Sequence, residues 1–258
     1  MNPIRPPIGV AIAGLGFGES VHLPALKANP DLQPVALWHP RTERLEKACK
    51  QHELIGFSDW SALLTDPKIE AVILATPPGP RFELALEALK AGKHLLLEKP
   101  VALHADQVAE LQRLAIKKRL SVAVDFEYRA VPLFMQAKRL LDQGIVGTPW
   151  LVKLDWLMSS RANASRPWNW YSQSEAGGGV IGALGTHAID MLHWLCGPTR
   201  QVSALLSTSI QTRPDPSSGE PCDVSSEDVT LAQLKLGGNE RPEIPAQVSL
   251  TAIALQGR

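Results

Sequence analysis

Ile8-Gly9-Val10-Ala11-Ile12-Ala13-Gly14-Leu15-Gly16-Phe17-Gly18-Glu19 is the stretch on which the fold of this chain turns. Residues 8–13 form an apolar run of the kind that a strand buried on both faces needs. Glycine then stands at every second position, and Val21 to Asn29 continues with helical spacing. In a strand–turn–helix setting, Gly14 permits the tight turn and Gly16 lets backbone come close to a pyrophosphate. The helix start adds unpaired N–H donors and a partial positive charge. Phe17 and Gly18 complete the turn. The third fingerprint position holds Glu19 in place of glycine, so a looser helix–strand contact is expected there unless Gly18 compensates. A plain strand-to-helix loop shares this outline. The position of the motif, first in the chain and between strand and helix, favours dinucleotide binding.

Outward from this turn, short apolar runs alternate with helical stretches. Residues 34–39, 71–78, 94–100 and 121–126 read as further strands, and 42–51 as a charged helix. In residues 106–118, Val108, Leu111, Leu114 and Ala115 make one apolar stripe with Glu110, Arg113 and Lys117 outside it. The alternation predicts an α/β doubly wound parallel sheet covered on both faces. From about residue 148 the texture changes. Residues 148–158, 199–210, 228–236 and 247–255 are strand-like, and residues 213–221 are expected to be a mobile surface loop. These features predict a C-terminal α+β domain with a mostly antiparallel sheet. A helix over 132–144 packs near the boundary. The division is placed at 1–127, a dinucleotide-binding domain, and 128–258, a substrate-binding domain. No internal repeat is visible.

The 258 residues carry 26 Lys and Arg against 26 Asp and Glu, so there is no basic field for nucleic acid. No apolar run approaches the ~18 residues of a membrane span, and the Pro-rich start has no signal-peptide core. Cys49, Cys196 and Cys222 are odd in number and far apart, which suits a reducing compartment. A soluble, cytoplasmic protein with neither nucleic-acid nor membrane partners is expected.

The second strand refines the cofactor. An NAD-preferring site commonly ends this strand with an acid that holds the ribose 2′-OH. Here Leu37-Trp38-His39-Pro40-Arg41-Thr42 has none. Arg41 and Thr42 suit a 2′-phosphate, and His39 or Trp38 can flank the adenine, so NADP(H) is preferred over NAD(H). Arg41 as the solvated start of a helix is the simpler alternative. Thr76-Pro77 closes the next strand and joins the cofactor-binding set. After it, Glu98-Lys99-Pro100 follows a buried strand, where open α/β sheets bind ligands. Facing the nicotinamide, Lys99 can exchange a proton with a substrate oxygen, and Glu98 can orient cofactor or substrate, so both join the cofactor-binding set. A surface salt bridge in a turn is the plain alternative.

Further on, residues 177–185 hold five glycines in nine residues, a density that permits close approach to a ligand. The helix that follows carries His187 in its first turn, where the dipole favours the neutral imidazole. Asp190 is three residues on and can orient it. A packing or capping role for His187 is equally open. His187, Asp190 and His193 stand three apart, so only neighbouring pairs share a face as metal ligands, and no metal is expected. Glu127, Tyr128 and Arg129 at the domain junction and Trp168 in an aromatic segment are candidate substrate contacts. For Trp168 a buried loop anchor is as good a reading.

Gly14-Leu15-Gly16-Phe17-Gly18, His22, Ala91-Gly92-Lys93-His94, Glu98-Lys99-Pro100, Phe126-Glu127-Tyr128-Arg129 and Gly177 to Asp190 together resemble the glucose-fructose oxidoreductase / inositol dehydrogenase / rhizopine catabolism family (Gfo/Idh/MocA). The resemblance runs in order along nearly the whole chain. It implies a Rossmann domain, an open-faced sheet domain, a nicotinamide cofactor and oxidation or reduction of a sugar, cyclitol or related polyol. It implies that Lys99 is the catalytic lysine and gives His187 a catalytic or substrate-binding role. Two positions depart from the family pattern: Ala183 stands four residues before His187 where an acid is common, and Arg81 stands where many members carry histidine. An enzyme with an altered acid–base partner fits these departures. So does a non-catalytic, dinucleotide-binding regulatory member. The resemblance also implies a homo-oligomer formed through the C-terminal sheet. By the same comparison the sheet domain is expected to be C-terminally truncated, with its final strand an exposed edge.

Overall fold

The structure, a computed structural model, describes residues 6–238 and 241–255. Residues 1–5, in the Pro-rich start, and 256–258, at the end of the last apolar run, lie outside the described residues. The chain divides into two compact units between Asp125 and Phe126.

The first unit is one parallel sheet. Its strands are β1 (Ile8–Ala13), β2 (Leu32–Trp38), β3 (Ile55–Phe57), β4 (Ala71–Leu74), β5 (His94–Leu97) and β6 (Val122–Val124), in the order β3-β2-β1-β4-β5-β6. The helices are α1 (Leu23–Ala28), entered through a π-type turn at Gly18–His22, α2 (Thr42–His52), α3 (Trp60–Thr65), α4 (Pro78–Lys90) and α5 (Ala105–Lys118). Strand side chains alternate between two cores, as a period of two requires. Ala11, Ala13, Val72, Leu74, Leu95 and Leu97 enter one core, with Phe82, Leu89 and Leu111 from the helices. Val10, Ile12 and Ile73 enter the other, with Leu23, Leu26 and Leu45. This explains the unbroken apolar runs: each neighbouring residue is buried, but against a different layer. Each fully buried leucine stabilises the fold by roughly 1.5–3 kcal/mol before entropy is counted. β3 and α3 are not legible in the pattern, because three strand residues and six helix residues are too few for a period to show. α3 is set by Asp59, whose carboxylate accepts the Ser61 N–H at 3.0 Å. Val108, expected in the apolar stripe of α5, is 38% exposed, while Leu111 and Ala115 are buried.

The second unit contains α6 (Pro132–Asp142), β7 (Val152–Leu157), α7 (Thr186–Cys196), β8 (Thr199–Ser207), β9 (Thr212–Pro214), β10 (Pro221–Asp223), β11 (Val229–Gly238) and β12 (Arg241–Thr251). Four strands form a sheet in the order β7-β12-β11-β8. β11 pairs antiparallel with both β8 and β12, but β12 and β7 run parallel, so the sheet is mixed. One face is covered by α7: Ala188, Leu192 and Cys196 pack on Leu234, Leu236, Ile244, Ala246, Val248 and Leu250. Every second residue of β12 is buried from Ile244 onward, the signature of a sheet with one covered face. The opposite face carries a groove of about 400 Å³ lined by Gln201, Gln233, Lys235, Pro245 and Gln247.

Two expectations are corrected here. The last strand is not an edge: β12 lies between β7 and β11, and the edges are β7 and β8. Residues 213–221 are not simply a loop, because β9 and β10 pair across them. Asp215 shapes the tip by accepting from the N–H groups of Ser217 and Ser218 at 2.8 and 2.9 Å. The Ser217 and Ser218 donors hold its carboxyl down at about 2.

Candidate functional site

The first unit presents the C-terminal ends of β1, β4 and β5 beside one another, with chain order reversing between β1 and β4. In an open α/β sheet that switch point is where ligands bind. Gly14 ends β1 at φ +107°, and a Cβ there would lie 2.6 Å from the Ala75 carbonyl oxygen, so no other residue fits. At Gly16 nothing lies within 4 Å of the Cβ position, leaving open space over the turn. At Gly18 a Cβ would lie 2.7 Å from Ile12 Cγ2. The expected loosening at the helix–strand contact does not occur, because Gly18 supplies the close approach. Glu19 instead reaches His52 on α2, Oε1 to Nε2 3.0 Å. Phe17 is 45% exposed, with its ring edge-on to His22.

On the β2 side, His39 Nδ1 accepts the Arg41 N–H at 3.0 Å. Burial holds the His39 imidazole below its usual range, and the charges of Arg44 and Arg41 push the same way. Arg41 and Thr42 are exposed at the start of α2. Arg44, one turn on, donates to the Leu15 carbonyl at 3.1 Å and ties α2 to the glycine turn. That role was missed from sequence, although a second arginine at helical spacing from Arg41 was the available signal. Trp38 does not stand ready for an adenine: it is buried against Trp60, ring centroids 5.2 Å apart.

On the β4–β5 side, Thr76 is buried and its Oγ1 has no partner among the described residues. Pro77 precedes α4. Lys99 is half-buried in the turn after β5, and its bond to Pro100 is cis. Its N–H donates to Glu98 Oε2 at 3.3 Å. The other Glu98 oxygen is 2.8 Å from His22 Nε2, and Asp125 Oδ2 is 3.8 Å from the same nitrogen. Burial pushes the Glu98 carboxyl up, but His22, Lys99 and Arg81 outweigh it and hold the group below the usual range. Asp125 goes the other way, raised by burial and then by Glu98. The two carboxyls therefore shift in opposite directions, and Asp125 keeps its proton to higher pH than Glu98. His22, Glu98 and Asp125 place ligand atoms within 4.8 Å of one another, a grouping that spacing alone does not reveal, since the three stand far apart in sequence. Arg81 donates to the carbonyls of Thr76, Glu98 and Pro100.

In the second unit, His187 is buried in the first turn of α7, 4% exposed. Phe126, Tyr128 and Trp156 surround its ring, with centroids 5.8, 5.0 and 6.2 Å away. Glu127 Oε1 lies 3.7 Å from His187 Nε2. Burial, and then Glu127, raise the Tyr128 hydroxyl above its ordinary value. Asp190 does not orient the histidine: both its oxygens are taken by Arg129, at 2.6 and 2.7 Å. The acid that sequence spacing assigned to His187 is thus paired elsewhere, and Glu127 stands in its neighbourhood instead. Ala183 lies in a π-type turn at Ile181–Gly185 leading into α7. The glycine-dense segment serves internal packing: side chains at Gly178 and Gly179 would collide with the Tyr171 carbonyl and the Glu227 carboxylate. Trp168 is a loop anchor, its Nε1–H donating to the Asp223 carbonyl at 2.9 Å.

The first unit's residues fit a dinucleotide. The open space over Gly16 admits a pyrophosphate, the buried Thr76 hydroxyl lacks an acceptor or donor, and cations flank the β2 tip. Comparison with known proteins agrees. Residues 8–126 match the oxidoreductase family with an NAD-binding Rossmann fold, and residues 134–253 match the GFO/IDH/MocA C-terminal domain. An uncharacterised oxidoreductase of Synechocystis sp. is 41% identical over 255 residues, covering 98% of this chain and 68% of its own length. Levoglucosan dehydrogenase of Pseudarthrobacter phenanthrenivorans is 32% identical over 258 residues, covering 89% of this chain and 65% of its own. A solved structure of levoglucosan dehydrogenase in complex with NADH and L-sorbose superposes with a TM-score of 0.89 at 27% identity, over 96% of this chain and 68% of that one. The chain belongs to the Gfo/Idh/MocA family of oxidoreductases.

Proposed function

We propose that this chain carries the cofactor site and part of the substrate site of a nicotinamide-dependent dehydrogenase or reductase. Its substrate would be a sugar, cyclitol or related polyol, or the corresponding carbonyl compound, and NADP(H) would be preferred over NAD(H). The observation that carries this is the junction of the Gly14–Gly18 turn, the unpartnered Thr76 hydroxyl and Lys99 at the ends of β1, β4 and β5. The names of similar proteins support the substrate class. When bound, the nicotinamide supplies the hydride acceptor or donor. Gly14, Gly16, Phe17 and Gly18 hold the pyrophosphate region, and Thr76, Pro77 and Glu98 line the nicotinamide side. Lys99 takes or returns the hydroxyl proton at its Nζ. In the second unit, His187, with Glu127 as its carboxylate neighbour, and Tyr128 would contact the substrate, with Arg129 and Asp190 beside them in their own ion pair. The open face of the second unit's sheet is where copies of the protein would associate.

The 2′-phosphate preference rests on His39, Arg41, Thr42 and Arg44 and on a β2 tip with no acid. Titration with NADPH and NADH, followed by nicotinamide fluorescence, tests it. NADPH should bind more tightly. Arg41→Ala should weaken NADPH about tenfold and leave NADH unchanged. Equal loss for both cofactors would remove the phosphate role from Arg41. Binding of neither by the unaltered chain would remove the functional reading. A panel of polyols and sugars, followed at the nicotinamide absorbance, then separates an enzyme from a regulatory protein that binds cofactor without turnover.

A further inference from the structure

Arg81 sits on the inner face of α4, 3% exposed, and no carboxylate forms an ion pair with it among the described residues. Burial lowers its guanidinium to about 10, with the Glu98 charge opposing the shift. Burying a charge this deeply costs several kcal/mol unless hydrogen bonds compensate. An apolar side chain would fill the helix–sheet contact without that cost. What Arg81 gains is three carbonyls from two separate turns. Nη1 donates to Glu98 O and to Pro100 O, the residues on either side of Lys99. Nη2 donates to Thr76 O, in the turn after β4. The planar fork of a guanidinium can hold several acceptors in a fixed relation, which the single point charge of a lysine cannot.

These two turns have a common role in the proposed site. The Gly14–Gly18 turn ends β1 and the adenosine half falls on the β2 side, so the nicotinamide half falls to the ends of β4 and β5. Glu98 is fixed from the opposite direction by His22, so the Lys99 turn is held by its side-chain carboxylate on one side and its carbonyls on the other. We propose that Arg81 is a positioning residue that locks the Thr76 turn to the Lys99 turn and thereby shapes the nicotinamide end of the cofactor site. This rests on the reading of the first unit as a nicotinamide-dinucleotide site.

The test compares the full chain with Arg81→Met, using two ligands: the reduced dinucleotide that the unaltered chain binds, and the same molecule lacking its nicotinamide. Arg81→Met should raise the Kd for the complete dinucleotide about tenfold and change that for the truncated ligand by less than about twofold. Added guanidinium should recover much of the loss, because it can re-occupy the vacated site. Unchanged affinity for both ligands overturns the inference, and so does an equal loss for both, which would mark Arg81 as a general support of the fold. If Arg81→Met does not melt cooperatively, Arg81→Lys is read by the same ratio, with a selective loss expected and an equal one overturning the proposal. Failure of the unaltered chain to bind either ligand overturns the site reading itself. Failure confined to the variant comparison overturns only the role of Arg81.

Discussion

The two units hold their chemical groups by different means. In the first, Lys99 sits at the end of a parallel strand among backbone and side-chain hydrogen bonds from His22, Glu98 and Arg81. In the second, His187 sits at the start of a helix and is held by the rings of Phe126, Tyr128 and Trp156. A parallel sheet brings several strand ends to one edge, so polar groups from distant segments meet there and fix one another. A mixed sheet with a single covered face offers no such edge, and its histidine is positioned by packing. The contrast predicts that first-unit chemistry can be removed without disturbing the site around it. Lys99→Ala should lower turnover about a thousandfold, on whichever polyol of the panel the chain oxidises, with cofactor affinity within about twofold. Equal activity in the variant would take the proton-transfer role from Lys99. A large loss of cofactor affinity would show that Lys99 holds the turn rather than being held by it.

A weaker effect is expected in the second unit. Glu127 is exposed and 3.7 Å from the His187 ring nitrogen, so it influences a group that packing already holds. Glu127→Gln keeps shape and removes charge. It should lower kcat about thirtyfold and leave both dinucleotide affinity and the melting temperature unchanged. Loss of dinucleotide affinity in this variant would contradict the division of labour between the units. Unchanged kcat would mean that His187 works without a carboxylate.

The same contrast explains what was legible in the sequence. Residues 8–13, 71–74 and 94–97 read as buried strands because both faces of their sheet are covered, and the Gly14–Gly18 turn has a steric reason at Gly14 and Gly18. Lys99 stood out because a buried strand precedes it and Pro100 follows it, but that pattern equally allowed a surface salt bridge, and only the family resemblance pointed to catalysis. His187 was singled out, but the carboxylate that lies near its ring was not assigned to it. Helical spacing pointed to Asp190, whereas Arg129, from a segment 61 residues earlier, claims both Asp190 oxygens. Sequence spacing ranks neighbours on one helix and is silent on competitors from elsewhere. The contacts of Arg81 and Asp125 were hidden for the same reason: each reaches the turn after another strand. The mixed sheet was hidden because strand direction leaves no trace in an alternating pattern.

The smallest effect expected concerns Asp125, and it sharpens the comparison by asking whether the first unit's polar cluster is strained. Asp125 is raised above its ordinary value, first by burial and then by the Glu98 anion, against the opposing charges of His22 and Lys99. At acid pH, below the ordinary aspartate value, Asp125 is protonated in both folded and unfolded chains and costs nothing. As pH rises, the unfolded chain releases this proton first, so the unfolded state gains relative to the folded one until the raised folded value is passed. Asp125→Asn keeps the neutral form and can still donate to Glu98. Its melting temperature should therefore equal that of the unaltered chain in acid and exceed it at neutral pH, the gap opening through the window above the ordinary aspartate value. Paired thermal melts across that range measure it. A variant less stable at neutral pH would show that Asp125 is held there as an anion by His22, and that the polar edge of the first unit is a paired network with no stored repulsion.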